Sequence, residues 1–220
     1  MKNSLDFLSL SDIGHTNVKI WRDGKVKIIP LKEFSPEKWR EKIYYINVNR
    51  DIQKKLDLLS NWIDISNFID IKTDYKTLGI DRKIGIYGAK NEIIVDLGSA
   101  ITIDLIKDGI HLGGYILLGK DATIRTFQEK TPHLNFKKEG ELSNNSIPKS
   151  SKDALYFGFF NPIIALIKSL QKQYSLEVIL TGGDSEEFEK LLDFKVTLKK
   201  NLLFENMKKC INLKQLEKTL

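Results

Sequence analysis

A single cysteine, Cys210, occurs in 220 residues. It leaves no second thiol for an internal disulfide and no set for a multi-cysteine metal cage. Only three histidines are present, His15, His111 and His133, and they stand isolated in sequence, so neither a zinc site nor a Ser-His-Asp arrangement is suggested. No apolar run approaches the ~20 residues of a membrane helix. The richest stretch, Phe157 to Ile167, is interrupted by Asn161 and Pro162. The first residues, Met1 to Asp6, place an acid where a signal peptide needs its apolar core, so a cytoplasmic protein without a membrane partner is expected. Arginine is also scarce. The formal charge of +6 comes from 30 Lys and 5 Arg. Arginine carries most bidentate phosphate and base readout, and these lysines are scattered beside acids. They read as a solvated surface, and no nucleic-acid partner is expected.

With 41% hydrophobic and 29% charged residues, the chain has the composition of one large domain or two small ones. Val18 and Ile20 alternate with polar residues, Asp23-Gly24 is a hairpin signal, and Val26 and Ile28 resume the alternation. Ser35 as N-cap and Pro36 behind it predict a helix. Ile43 to Val48 reads as a buried strand and Asp51 to Leu59 as a helix. Trp62 to Ile65 and Phe68 to Ile71 are candidate strands.

From Ile93 the opening recurs. A strand ends in Asp96-Leu97-Gly98-Ser99, a second strand alternates through Ile101, Ile103 and Leu105, and Asp108-Gly109 turns into a third. Asp12-x-Gly14 and Asp96-x-Gly98 lie 84 residues apart, each followed by an Asp-Gly turn at 11 or 12 residues. This is an internal duplication with a boundary near residue 90: residues 1–90 form one half and 91–220 the other. An irregular loop from Asn144 to Ser151 precedes a mostly helical stretch, Asp153 to Leu170. Glu177 to Leu180 is a strand leading into Thr181-Gly182-Gly183, and Asp184 with Glu187 has the pattern of a capping box. Leu202 to Leu213 is a closing helix.

Four constellations could carry chemistry. In Asp12-Ile13-Gly14-His15-Thr16-Asn17-Val18-Lys19 a strand ends in a tight turn. Gly14 lets a backbone N–H approach a phosphate, Thr16 offers a hydroxyl, Lys19 a cation, and Asp12 a ligand for a metal ion. Taken alone, the stretch reads more readily as an ordinary polar hairpin corner than as a nucleotide loop. Its second copy, Asp96 to Thr102, favours a pair of nucleotide loops. Thr181-Gly182-Gly183 opens a helix where adenosine or phosphate can lie against backbone, or is a strand-to-helix turn that needs small residues. Gly79-Ile80-Asp81-Arg82 reads as a loop before a small-residue helix. It is either a surface ion pair or, in a kinase, a base with a binder of acidic substrate. Gly114 to Lys120 matches G-x-x-x-x-G-K, but Asp121 stands where a P-loop needs Ser or Thr, and its bulky apolar interior suits a strand.

In order and spacing these pieces resemble the type III pantothenate kinases, of the acetate kinase/sugar kinase/Hsp70/actin superfamily. Asp12 to Lys19 resembles D-x-G-N-T-x-x-K, Gly79 to Arg82 is G-x-D-R, and Val95 to Asp104 resembles V-D-x-G-T-A-T-T-x-D. Gly113 to Gly119 resembles G-G-x-I-x-P-G, with Thr131 to Leu134 closing that block. Ser151 to Gly158 and Thr181 to Gly183 match later motifs. The resemblance implies an α/β, duplicated actin-like (ribonuclease H-like) ATPase fold, with two mixed β-sheets flanked by helices and an inter-domain cleft. It implies ATP-dependent phosphorylation of the pantothenate 4′-hydroxyl, the first step of coenzyme A synthesis. Asp81 would be the general base. Arg82, with Gly79, Ile80 and Ser151, would bind pantothenate. Asp12, Ile13, Gly14, His15, Thr16, Asn17, Val18, Lys19 and Ser99 would contact ATP. Asp12 would hold magnesium, directly or through water, and Asp96 potassium or ammonium. A homodimer is implied. His15 stands for the usual Asn, Ser99 for Thr, Ile101 for Thr, Leu118 for Pro, and Lys72 for a Tyr, with Tyr75 nearby. The alternatives are another kinase of the superfamily and a non-catalytic regulatory or accessory protein on the same fold.

Overall fold

The computed structural model describes residues 8–134 and 147–217. The stretch Met1 to Asp6 and the first part of the loop expected from Asn144 lie outside the described residues. The chain divides into two units, residues up to 88 with those from 202 onward, and residues 89–201.

The first unit contains β1 (Ser9–Ile13), β2 (Asn17–Arg22), β3 (Lys25–Pro30), β4 (Ile43–Asn47) and β5 (Trp62–Asp64), in the order β3-β2-β1-β4-β5. The second contains β6 (Glu92–Leu97), β7 (Ala100–Lys107), β8 (Ile110–Leu118), β9 (Glu177–Thr181) and β10 (Thr197–Leu198), in the order β10-β9-β6-β7-β8. Read from the other edge, the second order is the first with five added to each number. The senses agree too. β1 pairs antiparallel with β2 and parallel with β4, and β6 pairs antiparallel with β7 and parallel with β9. The duplication expected from two Asp-x-Gly loops is therefore a duplication of topology, the mixed sheet of the actin-like fold built twice.

The two hairpins are the same local object. Asp23 and Gly24 have φ of 49° and 79°, and Asp108 and Gly109 of 52° and 74°. Two consecutive positive φ values match the right-handed twist of the flanking strands.

In the first unit both faces of the sheet are covered, and every residue of β1 is buried. One face carries Ile13, Val18, Ile43 and Trp62 with Ile52 and Leu56 of α1 (Arg50–Leu56). The other carries Leu10, Trp21 and Ile46 with Ile84 of α2 (Ile80–Gly85) and with Phe204, Met207 and Ile211 of the last helix, Leu202–Glu217. In the second unit β6, β7 and β9 pack against Phe157, Phe160, Ile163 and Ile167 of α4 (Ser151–Tyr174), and Phe160 stacks 4.8 Å from Phe188 of α5 (Ser185–Leu191). α3 (Lys120–Lys130) completes this unit, and the last helix is α6.

Several expectations are corrected. The helix after Ser35 is one 3-10 turn, Pro36–Lys38, without a side-chain cap. The Pro36 carbonyl accepts from the indole of Trp62 at 3.2 Å, and the chain leaves extended at Trp39. Phe68 to Ile71 is no strand: the Phe68 carbonyl takes the Cys210 thiol at 3.3 Å from α6. Gly79-Ile80-Asp81-Arg82 is not a loop before a helix but the N-cap and first turn of α2. Asp184 makes no capping bond, because it and Glu187 are drawn to Lys120. His111 is not isolated: its Nε2 lies 2.7 Å from the Asp104 carboxylate, both buried on the β7–β8 hairpin. α4, at 24 residues, is long and apolar enough to cross a membrane by length and composition, against the expectation from Asn161 and Pro162. One face of it fills the second core.

The largest departure is α6. It follows the second unit in sequence but belongs to the first. Asn206, 2% exposed, donates from Nδ2 to the carbonyls of Ile84 (2.9 Å) and Gly85 (3.0 Å), at the C-terminal end of α2. Carbonyls in a helix's last turn have no intrahelical partner, and here a side chain 122 positions away supplies one. Replacing Asn206 by Ala removes the amide donor from the Gly85 carbonyl, while the Ile84 carbonyl keeps the Tyr87 N–H at 3.2 Å. Urea denaturation is expected to show a loss of about 1–3 kcal/mol, and an unchanged midpoint would show that water replaces the amide.

Candidate functional site

In the first unit the site starts where the buried β1 runs out. Gly14 N donates to the Asn17 carbonyl at 3.0 Å, closing the turn Gly14-His15-Thr16 and leaving His15 and Thr16 exposed. Ile13 and Val18 point into the core, so only their backbone can serve a ligand. Asp12 pairs in register with Lys19 on β2, and their charged ends lie 3.4 Å apart. Asp12 is 8% exposed. Burial pushes its carboxyl above the usual range, Lys19 opposes the rise, and the charge of Asp81 adds to it. That last influence brings Asp81, from the first turn of α2, into the electrostatic neighbourhood of Asp12.

The first turn of α2 thus carries an acid whose charge is felt at Asp12. The Asp81 carboxylate accepts from the backbone N–H of Arg82 at 2.8 Å, which fixes the acid at the helix start. Arg82 is 7% exposed, with its guanidinium carbon 5.2 Å from the ring centre of Tyr75. Lys72, at the position where the resemblance expects Tyr, is exposed.

The second unit repeats the loop with one residue fewer: Gly98 N donates to the Ala100 carbonyl at 3.2 Å, with Ser99 exposed. Two glycines press on it. Gly182 has φ of 90°, and a Cβ there would lie 2.5 Å from Asp96 Oδ1 and from the Leu97 carbonyl oxygen. A Cβ on Gly119 would fall on the carbonyls of Gly98 and Ser99. Asp184 N donates to the Leu97 carbonyl at 3.0 Å, tying the Thr181-Gly182-Gly183 turn to the loop. Sequence reasoning missed what anchors this arrangement. Lys120, just after Gly119, lies 3.2 Å from Asp184 and pairs with Glu187, whose other oxygen accepts from the Tyr156 hydroxyl at 3.0 Å. The charge partners raise the Lys120 ammonium above its ordinary value despite burial, and Tyr156 is pushed up by burial and by Glu187. The G-x-x-x-x-G-K match thus ends in a lysine occupied with two acids, while Gly114 to Leu118 is strand. Ser151 is exposed at the first position of α4, whose cap is Ser150 accepting from Asp153 N at 3.1 Å.

Among the described residues no three His, Cys, Asp or Glu side chains gather as a metal cluster. Asp96 Oδ1 and the Leu97 carbonyl oxygen both lie against Gly182, and oxygen donors of this kind suit a hard cation rather than zinc. A buried Asp12 close to a second acid is likewise a site that a dication would stabilise.

A family model for type III pantothenate kinase matches residues 45–173, a span that includes Gly79 to Arg82, Asp96 and Ser151. The chain belongs to the type III pantothenate kinase family. It is 34% identical to the type III pantothenate kinase of Sulfurimonas denitrificans, over 90% of this chain and 95% of that one. It is 35% identical to that of Campylobacter jejuni (92% and 95%) and 34% to that of Helicobacter pylori (91% and 89%). A crystal structure from C. jejuni, of a protein described as a Baf family transcriptional activator, superposes with a TM-score of 0.83 at 34% identity, over 94% of this chain and 99% of that one. This chain carries the acids Asp12, Asp81 and Asp96, with His15 in the first of its two loops.

The buried carboxylate carries a sign that can be checked. A raised folded value means the folded state holds the Asp12 proton more tightly than the unfolded chain does. Ionised Asp12 therefore costs stability at neutral pH, and the cost disappears as pH falls below the ordinary value of 3.8. Asp12→Asn is expected to melt higher than wild type at pH 7, with the advantage shrinking toward pH 4. A variant that melts lower at pH 7 would show that the Lys19 pair outweighs burial.

Proposed function

We propose that the chain transfers the γ-phosphoryl group of ATP to the 4′-hydroxyl of pantothenate, the first step of coenzyme A synthesis. The observation that carries the reading is α2, which holds Asp81 and Arg82 on one turn within electrostatic reach of Asp12. Phosphoryl transfer asks little covalent chemistry of a protein, and positioning and charge neutralisation supply most of the acceleration. Asp81 accepts the hydroxyl proton as the new O–P bond forms and the bond between the β- and γ-phosphates breaks, with ADP leaving. Arg82 binds the pantothenate carboxylate bidentately, helped by the backbone of Gly79 and Ile80. The exposed His15 and Thr16 of the first turn and the exposed Ser99 of the second offer donors to phosphate oxygens, the Gly14 and Gly98 N–H groups being spent within their turns. His15, replacing Asn, keeps a donor at its position.

Asp12 would hold magnesium, directly or through water, and Asp96 potassium or ammonium; bound there, the cations neutralise phosphate charge. The protein works in the cytoplasm as a homodimer. The dimer is supported by β8, a sheet-edge strand on which Ile110, Leu112, Tyr115, Ile116 and Leu118 are between 46% and 62% exposed. An edge strand this apolar calls for a cover. The second reading, an accessory protein on the same fold, is favoured only by the description given to the C. jejuni structure, and the retained Asp81 speaks for chemistry.

A coupled ADP-release assay with ATP, magnesium and pantothenate decides between them. Turnover is expected in potassium and not in sodium alone, and Asp81→Asn should lower kcat/KM by roughly 10²–10⁴. Folded protein that fails in both potassium and ammonium would discard the kinase reading, and an unaffected variant would discard the base. For the assembly, wild type should sediment at twice the chain mass of 25.3 kDa. Ile116→Lys should shift it toward the single-chain value, and a variant that stays dimeric would place the interface elsewhere.

A further inference from the structure

We propose that Tyr75 is a positioning residue for substrate: its ring holds the Arg82 guanidinium in the plane from which the guanidinium receives a carboxylate. The proposal rests on the reading of Arg82 given above.

Arginine has a long side chain with about 2 kcal/mol of rotamer entropy. Held only by its Cα, it would present its fork to a substrate in many orientations, and binding would have to remove that freedom. Burial and an aromatic contact both limit it here. Arg82 starts from the first turn of α2 and is 7% exposed. Its guanidinium carbon lies over the Tyr75 ring, 5.2 Å from the centroid. A guanidinium is a flat cation with its N–H donors around the edge. An aromatic face takes the flat side and the charge, and leaves the edge directed elsewhere. Bidentate recognition of a carboxylate uses that edge.

Tyr75 is itself held. Its backbone N–H donates to Thr73 Oγ1 at 3.1 Å, and its carbonyl accepts from Leu78 N at 3.1 Å. Leu78, 5% exposed, anchors the far side of this turn and leads directly into Gly79, the N-cap of α2. A turn pinned at both ends thus carries the ring, and the helix it leads into carries the cation. The pair is specified within eight residues of chain.

A cation–π pair could also be plain glue between turn and helix, so the test must separate positioning from stability. Tyr75→Phe keeps the ring and Tyr75→Leu removes it. They are assayed with pantothenate and with its neutral analogue, in which a hydroxymethyl group replaces the carboxylate. Ring removal should raise KM for pantothenate about 3- to 30-fold, the span of an ordinary cation–π contact, with kcat within about twofold and KM for ATP unchanged. The neutral analogue should be unaffected, and Phe should restore most of the pantothenate affinity. In an Arg82→Ala background the Leu substitution should have no further effect. If Leu at position 75 unfolds the turn, Tyr75→Met gives the same comparison with a longer side chain.

Equal losses on both substrates, an unchanged pantothenate KM, or a Phe variant as poor as Leu would each overturn the role. Wild-type protein that turns over no pantothenate would instead sink the kinase reading on which the proposal stands. Normal wild-type turnover with an indifferent Tyr75→Leu sinks this proposal alone.

Discussion

Each unit depends on one buried strand that has to end in a carboxylate. β1 and β6 are the central strands, flanked by an antiparallel neighbour on one side and a parallel one on the other. Their interior residues make the cores, and their ends place Asp12 and Asp96 one residue before the last of the strand. For Asp12 this position is unfavourable, since burial and the charge of Asp81 both work against ionisation and Lys19 offsets them only in part. A residue that lowers stability where it stands is the kind of strain that functional sites retain.

The rest of the first unit serves the same end. α2 brings Asp81 toward that strand end and Arg82 against Tyr75, and α6 caps the last turn of α2 through Asn206. In the second unit the corresponding loop is fixed by close approach. Gly119 and Gly182 bring backbone to within contact of the Gly98-Ser99 turn and of Asp96, and Lys120 ties the two glycine segments together through Asp184 and Glu187. The two halves share a topology but hold their loops by different means, an ion pair across strands in one and packed glycines in the other. Divergence of this sort fits a duplication in which each copy took a separate task.

Much of this was legible in the chain. The Asp-Gly hairpins are local, decided by positive φ at two consecutive residues, and both formed as read. The recurrence of Asp-x-Gly after a strand announced the repeated topology. Expectations failed where a distant group competed for a backbone or side-chain partner. The helix expected at Ser35 gave way to the indole of Trp62, the strand at Phe68 to Cys210, and the capping box at Asp184 to Lys120. Cap and strand patterns describe what a segment prefers when nothing else reaches it. The exposed apolar residues of β8 were hidden for the opposite reason: an apolar alternation looks the same whether its face meets a core or meets solvent.

The sequence by itself determined the two tight turns and each motif, whose residues lie within a dozen positions of one another, and comparing such local patterns along the chain gave their order, their recurrence and the family. Only the tertiary structure decided which acids share a field, which unit owns the last helix, and what holds each loop. Asn206 reaches across 122 positions and Lys120 pairs across 67. Partners so far apart leave no periodicity or spacing to read, since their meeting is set by how the sheets and helices pack and not by any preference of the segments that carry them.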